Sequence, residues 1–215
     1  MFDYLFFDLD GTLTDPGLGI TNSFKYAFEK LGLEIPSYET LCTYIGPPLP
    51  ETFRTFFGSD EDKVAEGVKF YREHYAEKGL YENLVYSGIA EMCEQLKANG
   101  KHLTVATSKP EKFAIKIMDH FGLSKYFDFI CGSNMDESRS DKAQVIEYAI
   151  KCNNITDKSK ILMIGDRKHD VIGAKKNGLK CCGVLFGYGD RKEHEAAGAD
   201  FIAETVPDLL NLLLK

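Results

Sequence analysis

Tyr4-Leu5-Phe6-Phe7-Asp8-Leu9-Asp10-Gly11-Thr12-Leu13 places four apolar or aromatic residues directly before two aspartates separated by one residue, with a glycine behind the second. A short apolar run bounded by a turn residue reads as a buried strand. That strand delivers Asp8 to its carboxyl end. After Pro16 and Gly17 the period changes: Ile20, Phe24, Ala27, Phe28 and Leu31 recur at helical spacing until Gly32. A helix, not a second strand, is expected there.

The helical reading continues over about 49–57 and about 61–78, where Val64, Val68, Tyr71 and Tyr75 share a face. Three helices with no strand between them predict a helical subdomain over 16–82. From Gly88 the pattern alternates. Helices are expected near 89–98, 112–121, 142–151, 171–177 and 206–214, with strands at 102–107, 127–131, 161–164, 181–185 and near Phe201. Parallel strands require crossover connections, so the alternation predicts an α/β fold, a doubly wound parallel sheet with helices on both faces. Residues 1–15 and 83–215 would form this core, with 16–82 inserted after its first strand.

The composition fits such a domain and excludes other classes. The 215 residues are 44% hydrophobic and 27% charged, the balance of a globular protein and not of a disordered or collagenous chain. The 26 Lys and Arg against 33 Asp and Glu leave a net charge of −7, and no basic stripe is available to neutralise a phosphate backbone. A nucleic acid polymer is therefore not expected as a partner. Apolar runs such as Leu209-Leu210 are far shorter than the roughly 20 residues of a membrane span, so no membrane partner is expected. Asp3, Asp8 and Asp10 stand where a signal peptide would be basic, and a cytoplasmic location is expected. Cys42, Cys93, Cys131, Cys152, Cys181 and Cys182 form no C-x-x-C pair, so reduced thiols are expected instead of a zinc site.

Loops leaving the carboxyl ends of the strands in a doubly wound sheet line one crevice. Four such ends carry chemistry: Asp8 and Asp10; Thr107-Ser108-Lys109; Lys142, opening a helix; and Gly165-Asp166, with Asp170 four residues on. Asp8, Asp10 and Asp166 gathered at one edge would repel one another without a cation, and oxygen-only ligands suit Mg²⁺. Asp170 alone reads equally as a turn or helix cap. Thr107 and Ser108 offer donors to an anion, or else cap the helix near Pro110. Lys142 opposes the helix dipole, which phosphate binding would explain, although a solvated lysine is the plainer alternative. As a strand-end residue it adds little core area, so the fold is expected to survive its loss.

Together these residues resemble the haloacid dehalogenase superfamily of phosphohydrolases over nearly the full chain. Phe7-Asp8-Leu9-Asp10-Gly11-Thr12-Leu13 is similar to its first motif, Thr107-Ser108 to its second, Lys142 to its third, and Ile164-Gly165-Asp166 with Asp170 to its fourth. The insertion between the first two motifs is similar to the helical cap of the phosphoglycolate phosphatase-like branch. The resemblance implies a Mg²⁺-dependent phosphomonoesterase acting on a small phosphate ester, phosphoglycolate-like or a nucleoside monophosphate. Asp8 would be the nucleophile and Asp10 the general acid and base. Asp8, Asp166 and the backbone carbonyl of Asp10 would hold the metal, and Asp170 would support the loop or an outer-shell water. Thr107, Ser108 and Lys142 would bind the phosphoryl oxygens. Ser108 stands where this branch often has Asn.

Other readings of the same scaffold differ at identifiable places. A dehalogenase would lack the Asp10 acid. A phosphonate hydrolase needs a cap lysine, absent from 43–50, with Lys25 and Lys30 as the remaining candidates. A sugar phosphomutase would pass the phosphoryl group to a second hydroxyl instead of water. A phosphoaspartate signalling receiver places its acidic pair and its phosphorylated Asp on different strands and has no insertion. Within the insertion, Thr43-Tyr44-Ile45-Gly46-Pro47-Pro48-Leu49 is either the segment that selects substrate or an ordinary interhelical turn. His169 is expected to face solvent.

Overall fold

The computed structural model describes residues 2–135, 138–139 and 141–215. The chain divides into two compact units: the stretch ending at Asp15 joined with Val85–Lys215, and Pro16–Leu84. β1 (Tyr4–Phe7) is the expected buried strand, with Leu5, Phe6 and Phe7 wholly excluded from solvent. The two-residue strand β2 (Thr14–Asp15) follows.

The inserted unit contains α1 (Gly17–Leu31), α2 (Tyr38–Cys42), α3 (Leu49–Phe57) and α4 (Glu61–His74). α1 ends at Gly32 in the left-handed conformation, φ 65°, which lets its amide reach the last free carbonyls. The ring of Phe24 lies at the centre of the unit, with Tyr71, Tyr44 and Phe53 at centroid distances of 4.8, 5.2 and 5.7 Å. Clusters of this kind bury large apolar areas in favourable ring geometries. α2 escapes sequence periodicity because it has five residues and one buried side chain, Leu41. The helix expected to continue to Lys78 leaves α geometry after His74. Tyr75–Gly79 form a wider π turn, closed by Leu80 N donating to Tyr75 O at 2.9 Å. The added residue sets Gly79 against α1, where a Cβ on Gly19 would lie 2.1 Å from the Gly79 carbonyl oxygen.

β3 (Leu84–Val85) precedes the longer return stretch of the first unit. There α5 (Ile89–Ala98), β4 (His102–Pro110), α6 (Glu111–His120), β5 (Phe129–Ser133), α7 (Lys142–Cys152), β6 (Ile161–Gly165), α8 (Lys168–Lys176), β7 (Lys180–Val184), α9 (Arg191–Ala197), β8 (Phe201–Ala203) and α10 (Val206–Leu213) alternate. The sheet order is β5-β4-β1-β6-β7-β8, with every neighbouring pair parallel. The chain runs outward from β1 through β4 to β5, then crosses back to β6 and runs outward on the other side. This reversal puts the topological switch beside β1, where a crevice opens at the carboxyl ends.

α7 and α8 cover one face of the sheet over Phe6, Ala106, Cys131, Met163 and Cys181. α9 was not legible because His194 is its only buried residue, so it carries no apolar stripe. All six cysteines are free, and burial pushes the Cys93 and Cys182 thiols up to about 12. No described helix is long and apolar enough to cross a membrane.

Candidate active site

Asp8 leaves β1 with its amide donating to Ile164 O at 2.9 Å, which ties the carboxyl ends of β1 and β6 together. Its Oδ1 accepts from the Leu9 amide and forms an ion pair with Lys142 Nζ, both at 2.8 Å. No hydrogen bond reaches its Oδ2 among the described residues. Lys142 Nζ also forms an ion pair with Asp170 Oδ1 at 2.8 Å and donates to the Ala106 carbonyl at 3.1 Å. Burial works against its charge, but Asp170 and Asp8 outweigh burial and raise its pKa. At 7% exposed, Lys142 is a buried ionic hub, which rules out the solvated-lysine reading.

Asp166 and Asp170 are each 1% exposed. The Asp166 carboxylate accepts from the Tyr188 amide through Oδ2 at 2.8 Å, while its buried Oδ1 has no partner among the described residues. Burial, followed by the charges of Asp170 and Asp8, holds the Asp166 carboxyl well above its ordinary range. Asp170 sits in the first turn of α8 and accepts from the Arg167 amide at 3.1 Å. Burial pushes its carboxyl up to about 6, with Lys142 opposing the rise and Asp8 adding to it. One oxygen each from Asp8, Asp166 and Asp170 lies within 4.8 Å of the others. Asp170 therefore belongs to the acidic cluster itself, as well as bracing the loop through the Arg167 amide. The cluster needs glycine around it: Gly11 has φ 80°, and a Cβ there would fall 2.1 Å from Asp166 Oδ2.

The Asp10 side chain takes a different partner. Its Oδ2 pairs with Lys109 Nζ at 2.5 Å, and its Oδ1 is buried without a partner among the described residues. Burial raises its pKa and the Lys109 charge opposes the rise. Thr107 is 2% exposed and accepts from the Lys109 amide at 3.2 Å, and Ser108 is half-buried beside it. Both lie in the irregular end of β4, which runs to Pro110. α6 starts beyond them without a side-chain cap, so the helix-cap reading of Thr107 and Ser108 is corrected. Their hydroxyls stay at the strand end next to Ala106, whose carbonyl Lys142 holds. His169 is exposed, as expected.

Four further residues shape the site without a role having been assigned to them from sequence. Lys109 stands directly after the second motif yet had no assigned role. Tyr188 gives its amide to Asp166, and its hydroxyl donates to Asp15. Arg167 and Glu193 pair across α8 and α9 at 2.9 Å. One signal was available for Tyr188: it lies between Gly187 and Gly189, and glycines flanking an aromatic mark close backbone approach. A Cβ on Gly189 would lie 1.9 Å from the Asp166 carbonyl oxygen.

The α/β core gathers three carboxylates and a buried lysine at its switch point, and comparison with known proteins gives its family. The haloacid dehalogenase-like hydrolase family model matches residues 5–184. The chain belongs to this family. A Pseudomonas aeruginosa protein named 5'-nucleotidase is 44% identical over 89% of this chain and 86% of its own length. A Mycobacterium tuberculosis protein named tyrosine-protein kinase PtkA is 37% identical over 93% of this chain, which spans 65% of that longer protein. The crystal structure of a predicted phosphatase from Clostridium acetobutylicum is 42% identical, with a TM-score of 0.95, covering 100% of this chain and 99% of that one.

Proposed function

We propose that this phosphoric monoester hydrolase is a Mg²⁺-dependent enzyme that works through an aspartyl-phosphate on Asp8. The observation that carries the reading is the asymmetry of Asp8, with one oxygen held by Leu9 N and Lys142 and no hydrogen bond to the other among the described residues. That other oxygen attacks phosphorus, the bond from phosphorus to the ester oxygen breaks, and Asp10 gives the ester oxygen its proton. Water then attacks the phosphoaspartate while Asp10 takes the proton back, which frees phosphate and restores Asp8. Thr107, Ser108 and Lys142 stabilise the charge on the phosphoryl oxygens.

The acidic cluster fits a hard divalent ion. Two of its three carboxylates pair with one lysine, all its ligand atoms are oxygen, and Asp166 Oδ1 is a buried acceptor left unsatisfied. Asp8, Asp166, Asp170 and the Asp10 carbonyl are the residues that would hold it or brace it. When bound, Mg²⁺ supplies electrostatic stabilisation of phosphoryl oxygens. Residues 16–82 act as the cap that selects the organic part of a small phosphate ester. The name of the Pseudomonas relative makes 5'-nucleoside monophosphates the first class to test.

Phosphate release from nucleoside monophosphates, phosphoglycolate and sugar phosphates, with Mg²⁺ and after chelation, tests this. Release should require the metal, fall by about 10²-fold or more in EDTA, and return when Mg²⁺ is added. Equal rates in EDTA would contradict the metal requirement. Transfer of phosphate to a protein tyrosine in place of release to water would contradict the hydrolase reading.

A further inference from the structure

Glu193, on α9, commits its carboxylate to the turn that carries Asp166 and Asp170. Its Oε1 accepts from Arg167 Nε at 2.9 Å and from the Lys168 amide at 2.7 Å, and its Oε2 accepts from Arg167 Nη2 at 3.4 Å. Arg167 is the residue after Asp166, and its amide donates to Asp170. Lys168 opens α8, so its amide has no acceptor within the helix and takes Glu193 instead. Glu193 is itself fixed, because its amide donates to Asp190 Oδ1 at 2.7 Å in the cap of α9. A two-point contact between guanidinium and carboxylate sets orientation as well as distance. Asp166 and Asp170, both buried and of like charge, must nevertheless stay turned toward Asp8.

We propose that Glu193 and Arg167 are positioning residues for the divalent cation. Their clamp holds the turn between Asp166 and Asp170 in the shape that presents both carboxylates to one ion. The proposal rests on the metal reading above, and it adds two residues to which none of the four motifs assigned a role. It treats Glu193 as acting through hydrogen bonds to the turn, not through its charge.

Mn²⁺ serves as the probe, added to the full-length protein, with the free ion counted by its electron paramagnetic resonance signal. Glu193→Ala removes every contact to the turn and should weaken Mn²⁺ binding by about 10- to 100-fold. Glu193→Gln keeps an acceptor for the Lys168 amide and should lose less than about fivefold. Arg167→Met separates positioning from simple electrostatics. Deleting a positive charge beside the site would by itself tighten cation binding, whereas loss of the clamp should weaken it by about tenfold. Circular dichroism at the assay temperature identifies any unfolded variant, and if Glu193→Ala is unfolded the other two decide. Tighter or unchanged binding by Arg167→Met, or equal losses for Gln and Ala at 193, would overturn the proposal. Absence of Mn²⁺ binding by the wild-type protein would instead remove the metal reading itself.

Discussion

Asp8→Asn should abolish turnover of every phosphate ester, a loss of at least about 10⁴-fold in kcat. An amide oxygen carries no negative charge to attack phosphorus, and the chemistry offers no second nucleophile at that position. The loss should be independent of leaving group, because the missing step is common to all esters. The fold should persist: the Asn carbonyl still accepts from the Leu9 amide, and Lys142 keeps Asp170 at 2.8 Å. Steady-state assays with an alkyl and a nitrophenyl ester, on protein verified by mass spectrometry to be free of deamidated Asp8, make the measurement. Retained multiple turnover would remove Asp8 from its role.

Lys142→Met should act on stability and activity together. The ammonium is buried between Asp8 and Asp170, and Met fills similar space without neutralising either. Removing one member of a buried ionic cluster leaves uncompensated charge, at a cost of about 3–5 kcal/mol. Loss of a fixed donor to the phosphoryl oxygens should lower kcat by about 10²- to 10³-fold. The stability loss should be greatest in EDTA and smaller in Mg²⁺, since a cation that binds the folded cluster stabilises it by mass action. Urea unfolding in both buffers tests this. An unchanged midpoint in EDTA would show that the hub is not structural. Sequence alone led to the opposite expectation, that the fold would tolerate the loss of Lys142.

That reversal marks the boundary of what the sequence made legible. The apolar run at Tyr4–Phe7 and the alternation after Gly88 are periodic signals, and the parallel sheet follows from them. Asp8, Asp10, Asp166 and Lys142 could be singled out because strand ends in such a sheet converge. Partner choice was not legible. Whether Lys142 faces water or two carboxylates, and whether the Asp10 side chain joins the acidic cluster or pairs with Lys109, depends on distances between strands far apart in sequence. α9 and Glu193 were missed for a related reason: a short helix with one buried residue leaves no period to read. The π turn at Tyr75–Gly79 follows from the close approach of Gly19 and Gly79, a contact that no local pattern encodes.

The central claim is that the phosphoryl group passes through Asp8 while Asp10 serves both proton transfers. Asp10→Asn separates the two halves of the reaction. Its backbone carbonyl remains, and the nucleophile is untouched. A nitrophenolate leaves without a proton, so p-nitrophenyl phosphate should still phosphorylate Asp8, while water attack lacks its base and becomes limiting. Rapid mixing should give a burst approaching one nitrophenolate per active site, followed by a slow phase. Intact mass after acid quench should then carry one added phosphoryl group, which peptide mapping places on Asp8. An alkyl phosphate should give no burst. Equal fractional losses for both esters, with no phosphoenzyme after quench, would contradict the mechanism.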